Sequence, residues 1–158
     1  MTARETFLLQ RVQPALTGLI DGSLSTIAPI FSVALYTHKP HAAFIAGTAT
    51  AIAAGISMAY SEGLSDTGEL TGRGNPAQRG AITGVGTFMG GILHTLPFLI
   101  PDYRVALIFA GIVVVFELIA LAYLRWRFFQ TSFVSSLGYV TLAGIVIGAV
   151  SATLGAAG

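Results

Sequence analysis

Five stretches of about 20 apolar residues, the length a helix needs to cross the hydrocarbon core of a bilayer, recur along this chain and leave few folds open to it. They lie near 15–36, 42–61, 80–100, 105–124 and 133–154. Lipid offers no hydrogen-bond partners, so every backbone polar group in such a run must be satisfied internally, and the runs read as spanning helices. The predicted fold class is all-α: one integral-membrane domain over residues 1–158, a bundle of five helices with a single sizeable polar connection at 62–79. Composition agrees. With 54% hydrophobic and only 9% charged residues, and a mean hydropathy of +0.78, the chain lies far from the soluble range.

The few charges carry information about orientation and function. Arg4, Arg11, Arg73, Arg79, Arg125 and Arg127 fall on one side of the predicted bundle and only Lys39 and Arg104 on the other. The basic side is the cytoplasmic one, so the N-terminus is predicted inside and, after five spans, the C-terminus on the far side. In a bacterium the membrane would be the inner one. The first ten residues lack an apolar core followed by a small-residue cleavage site, so the first span is expected to act as its own insertion signal. A net charge of +1 built from eight scattered Lys and Arg provides no basic face for nucleic acid. The lack of cysteine removes disulfides, thiolate metal sites and cysteine nucleophiles together. No zinc-protease, phosphate-loop or nucleophile-elbow motif occurs, so neither an enzyme, a cofactor nor ATP-driven transport by this chain alone is expected.

Against that background Asp21, in Thr17-Gly18-Leu19-Ile20-Asp21-Gly22-Ser23-Leu24-Ser25, stands out. A charge at mid-bilayer costs roughly 2.5–3.5 kcal/mol and calls for a partner, a cation or water. On the second span, Met58 and Glu62 are four residues apart and share a helical face, in the same half of the membrane as Asp21. Two carboxylates and a thioether would make a graded path for a divalent cation, with sulfur shifting preference toward transition metals. Met58 as an ordinary gap-filler of the core is the competing reading. Asp66 and Glu69 in the polar connection are candidates for cytoplasmic cation capture, or simply solvated acids. Within the spans, His94 is a candidate ligand or proton carrier, or a histidine hydrogen-bonded between helices. Glu117 is a candidate for the path or for proton coupling, or a partner for Arg125 or a hydroxyl. Pro14 suits a first helical turn, and Pro29 is expected to kink the first span. Gly18 with Gly22, Gly80 with Gly84, Gly86 with Gly90 and Gly144 with Gly148 are spaced for close helix packing.

These blocks together resemble the vacuolar iron transporter family, in particular the transporter domain that follows a rubrerythrin-like ferritin domain in membrane-bound ferritins. The resemblance rests on Asp21-Gly22-Ser23-Leu24-Ser25-Thr26 with Ala28-Pro29, on Gly55-Ile56-Ser57-Met58 followed by Glu62-Gly63-Leu64-Ser65-Asp66, on Leu70-Thr71-Gly72-Arg73-Gly74, and on His94-Thr95-Leu96-Pro97-Phe98. It implies a five-helix homodimer that moves ferrous iron or manganese out of the cytoplasm in exchange for protons. Asp21 and Met58 of each protomer would line a path at the dimer interface, and Glu62 matches the acid that follows the methionine. Two departures stand beside it. The connection at 62–79 is short where plant and fungal relatives carry a glutamate-rich domain, and no acid lies between His41 and Ser61, which leaves His94 as a substitute in the outer half. No diiron Glu-x-x-His motif precedes the first helix, so the chain is expected to be either a stand-alone transporter or a transporter domain served by a separate ferritin-like partner. A passive proton or small-solute channel and a non-transporting membrane scaffold are the alternatives.

Overall fold

The computed structural model describes residues 1–156. Among these the chain is helical apart from short connections. The elements are α1 (Ala3–Phe7), a π-helical turn (Leu8–Val12), α2 (Gln13–Ser25), α3 (Ile27–Thr37), α4 (Pro40–Ser65), α5 (Pro76–Leu93), a 3₁₀ turn (Leu96–Leu99), α6 (Tyr103–Phe129) and α7 (Phe133–Ala156). Four helical stretches among the described residues are long and apolar enough to cross a membrane: Ala3–Thr37, Pro40–Ser65, Tyr103–Phe129 and Phe133–Ala156. The 18-residue α5 is less apolar and lies between two of them.

Prolines and caps explain where the helices begin, bend and stop. Thr2 accepts from the Glu5 backbone N–H while the Glu5 carboxylate accepts from the Thr2 N–H, a reciprocal cap that starts the first helix at Ala3, well before Pro14. Pro14 therefore sits inside a continuous helix, and the wider π turn just before it accommodates its ring. Pro29 brings no N–H to the carbonyl of Ser25 and its ring crowds that group. The helix breaks at Thr26, where α2 gives way to α3. Pro97 acts likewise on the carbonyl of Leu93, so α5 ends there. His94 is consequently the C-cap of α5 and not a residue inside a helix extending to position 100.

The bundle is assembled around α5 by close backbone approach. Gly18 and Gly22 of α2 face the backbone of Thr83, Thr87 and Gly91, with no room for a Cβ. Gly86 and Gly90 return the contact against Ala15, Leu19 and Ser23. On the other side a Cβ at Gly84 would come within 2.6 Å of the Gly55 carbonyl oxygen, and one at Gly80 within 2.5 Å of that of Ala59. The pairing runs 18 to 83 and 22 to 87 for α2, but 55 to 84 and 51 to 91 for α4. Thus α5 is parallel to α2 and antiparallel to α4.

Helix α6 packs differently, through side chains, whereas α7 rests on α3 with Gly155 against Ser32 and Leu35. Leu118 and Leu121 meet Val12, Leu16 and Val140 in one apolar cluster, while Ala106 and Ala110 join Ile30, Ala34, Ala43 and Phe98 in another. The outer face of α6, with Ile108, Phe109, Ile112, Val115 and Phe116, is exposed and wholly apolar, the pattern of a helix bathed in lipid. Of the Gly144 and Gly148 pair, Gly144 meets Leu118, whereas a Cβ at Gly148 would meet nothing within 4 Å.

Gly22→Leu must push α2 off α5, so it is expected to cost about 3 kcal/mol or more. Gly148→Ala is expected to stay within about 0.5 kcal/mol of the parent. Thermal unfolding of the purified protein in detergent checks both, and equal effects would show that the α2–α5 contact is not limiting.

Candidate functional site

Asp21 stands on α2 with Thr17 one turn before it and Ser25 one turn after. Thr17 and Ser25 are exposed and Asp21 is half-buried, so the three form a polar stripe beside the face that Gly18 and Gly22 press against α5. Among the described residues nothing donates a hydrogen bond to the Asp21 carboxylate and no cation pairs with it. Met58 lies half-buried on α4. Because Gly18 is level with Thr83 and Gly84 is level with Ala59, Met58 stands about one turn nearer than Asp21 to the end where α4 meets the polar connection. The two residues occupy the two helices that flank α5.

The acids beyond Met58 belong to an ion-pair cluster. Arg73 reaches Glu62 at 2.7 Å and Asp66 at 3.0 Å, and Arg79 reaches the same two carboxylates at 2.9 and 3.3 Å. Arg79 is only 1% exposed and also donates to the backbone carbonyls of Gly74 and Asp66. Because α4 continues to Ser65, Glu62 and Asp66 lie at its very end, and the connection folds back beneath them through left-handed turns at Gly68, Gly72 and Gly74. Gln10 ties the loop to the first helix by donating to the Gly72 carbonyl at 3.1 Å. Glu69 is exposed. Burial pushes the Asp66 carboxyl up, but the Gly68 N–H, the Arg73 guanidinium, the charge of Arg79 and the Thr71 hydroxyl together outweigh it and hold the group below its usual 3.8.

A second polar cluster lies toward the opposite end. His94 is fully buried and Glu117 is 5% exposed. His94 Nδ1 is 2.8 Å from Glu117 Oε2, and His94 Nε2 is 2.8 Å from the Thr26 hydroxyl. Thr26 in turn donates to the Gly22 carbonyl at 2.7 Å. Glu117 thus pairs with histidine and not with Arg125, which is eight residues, or about 12 Å, further along the same helix.

The structure therefore brings Glu62 together with Asp66, and His94 with Glu117, whereas Asp21 and Met58 stand apart on the two helices that flank α5 and Glu69 is exposed. Among the described residues no three His, Asp or Glu side chains gather in a way that could hold a metal ion. Three residues of these clusters, Arg73, Arg79 and Thr26, were not among the candidates expected from sequence. Arg79 carried a usable signal, since a basic residue in the first turn of a helix opposes the macrodipole and asks for acids nearby. Thr26 carried the signal of a hydroxyl within an apolar span just before a proline.

Comparison with known proteins adds nothing to this geometry. No family model, curated protein or solved structure matches the chain.

The depressed Asp66 carboxyl gives a signed expectation. A group whose folded value lies below its unfolded one stabilises at pH above the unfolded value, and that contribution is lost as pH falls through the folded value. The fold of loop 67–74 is therefore expected to loosen only below pH 3.8. Cleavage of the loop by an acid-active protease should rise there, and Asp66→Asn should remove the pH step while raising the baseline.

Proposed function

We propose that the chain is one half of a homodimeric membrane transporter that moves a divalent transition-metal cation, ferrous iron or manganese, out of the cytoplasm in exchange for protons. The observation that carries this reading is the uncovered stripe of Thr17, Asp21 and Ser25 within a membrane-length helix. Lipid cannot accept a carboxylate there at low cost. A second copy of the chain, bringing its own Asp21 to the same axis, would cover the stripe and create a pair of like charges that either a metal cation or a proton relieves. Met58, about one turn toward the loop end, would contribute a thioether that favours iron or manganese over magnesium or calcium.

Five passes fit the topology. Helix α5 runs parallel to α2 and antiparallel to α4, and its 18 residues give a length of about 27 Å, close to the roughly 30 Å hydrocarbon core. The loop end, with Arg4, Arg11, Arg73, Arg79, Arg125 and Arg127, is then the cytoplasmic one by the count of basic residues. Glu62 and Asp66, each held by two arginines, close this end as a neutral wall, so that cation capture there requires Arg73, 22% exposed, to swing away. The exposed Glu69 is the acid left to attract cations, and a ferritin-like partner could deliver them.

Uptake of ferrous iron and manganese into proteoliposomes under an imposed proton gradient tests the reading. Gradient-driven uptake is expected for the parent, with at least a hundredfold loss in Asp21→Asn, or about 2.7 kcal/mol. Met58→Ala should change the ratio of manganese to magnesium uptake. Proton conductance without metal movement would establish a passive channel instead, and a silent protein that still dimerises would establish a scaffold.

A further inference from the structure

The cluster of Thr26, His94 and Glu117 is built from three separate elements, the α2–α3 break, the C-cap of α5 and the middle of α6. Its hydrogen bonds can be counted against its protons. A threonine hydroxyl has one hydrogen, and neutral imidazole is a donor at one nitrogen only. If the Thr26 hydrogen goes to the Gly22 carbonyl, at 2.7 Å, then His94 Nε2 must be the donor in its 2.8 Å contact with Thr26 Oγ1. The remaining 2.8 Å contact, Nδ1 to Glu117 Oε2, then needs a second proton. That proton sits either on Nδ1, as imidazolium facing carboxylate, or on Oε2, as a carboxyl donating to neutral imidazole. In both placements the imidazole and carboxyl hold two protons, are neutral overall and satisfy all three contacts.

Removing one proton breaks this arrangement in a defined way. The remaining proton goes to Nδ1, where it satisfies Glu117, and Nε2 becomes an acceptor. Thr26 must then turn its only hydrogen from the Gly22 carbonyl to His94. One hydrogen bond of three is lost, at the break between α2 and α3, on the residue that follows Asp21 in the chain. A negative charge also remains in the interior, where Glu117 Oε1 already lies buried without a donor and cannot stabilise it. The geometry of the structure, with all three contacts made, is that of the loaded form.

We propose that His94 and Glu117 form a proton-binding site whose loading is relayed by Thr26 to the helix break beside Asp21. Its existence follows from the buried cluster; its role as the proton arm of metal exchange rests on the transporter reading. Loading adds one proton to the imidazole and carboxyl pair and unloading removes one, with no other covalent bond made or broken. Among the described residues no further titratable side chain faces the pair. At this level α4 presents Gly47 and Ala51, packed on Thr95 and Gly91. Helix α3 carries only Tyr36 as a titratable residue, α7 only Tyr139, and α2 only Asp21, on its separate stripe. The other titratable residues of α6 (Tyr103, Arg104, Tyr123, Arg125 and Arg127) and Arg79 of α5 lie more than one helical turn away along their helices.

The test begins with the full chain in lipid nanodiscs without metal, labelled with ¹⁵N-histidine on a His38→Gln, His41→Gln background that removes the two exposed histidines. On raising the pH, His94 Nε2 is expected to pass from protonated to bare in a single step, matched by an infrared change at the Glu117 carboxyl. Glu117→Gln should abolish the step. Thr26→Val, which keeps the buried volume and so serves if Glu117→Gln does not fold, should shift its midpoint. An Nε2 that stays protonated wherever the protein remains folded, or a step indifferent to both substitutions, overturns the proposal. In proteoliposomes, stimulation of metal uptake by the proton gradient should fall at least about tenfold in Thr26→Val and Glu117→Gln, while uptake driven by the metal gradient persists. Unchanged stimulation overturns the relay while leaving metal transport standing. A parent protein that shows the step but moves no metal supports the proton site and overturns the transporter reading.

Discussion

The contact on which the structure depends is the approach of α5 to α2 and α4 with no side chain between the backbones. Gly18 and Gly22 on one side, and Gly55, Gly80 and Gly84 on the other, bring carbonyl oxygens to distances that a single methyl group would close. In lipid, where apolar side chains gain little by leaving one apolar neighbour for another, van der Waals contact of this kind is a principal source of association. It also fixes the levels of the three helices against one another. The position of Asp21 relative to Met58 is a consequence of that register.

The same packing places the ionisable residues in two kinds of arrangement. At the loop end Arg73 and Arg79 satisfy Glu62 and Asp66 through four ion pairs, and the buried guanidinium of Arg79 has carboxylates and carbonyls on several sides. Toward the opposite end the His94 imidazole and the Glu117 carboxyl face each other at 2.8 Å, each buried. Asp21 has neither arrangement. A carboxylate left without a partner among the described residues, in a membrane-length helix, is the feature that asks for something beyond this chain.

Much of the helical plan was legible from the chain, because apolar run length and proline position act locally. The run from 133 matches α7, and Pro29 places the break at Thr26 by removing one hydrogen bond and crowding one carbonyl. Local signals misjudged other limits for equally local reasons. The cap formed by Thr2 and Glu5 starts the first helix twelve residues before the predicted 15, α4 extends to Ser65, and Pro97 ends α5 before His94. These ends are decided by single hydrogen bonds, which hydropathy averages away.

What the sequence determined by itself was an all-helical chain with membrane-length apolar helices and a carboxylate in the first of them, since composition and period are properties of neighbouring residues. It also named every acid and histidine that the structure later grouped. Which of them meet was decided only by the tertiary structure. Glu62 lies 17 residues from Arg79, His94 lies 23 from Glu117 and 68 from Thr26, and no periodicity links positions so far apart. Those pairings follow from the depth at which glycine lets one helix rest on the next, and that depth is set by contacts between helices and by no single segment.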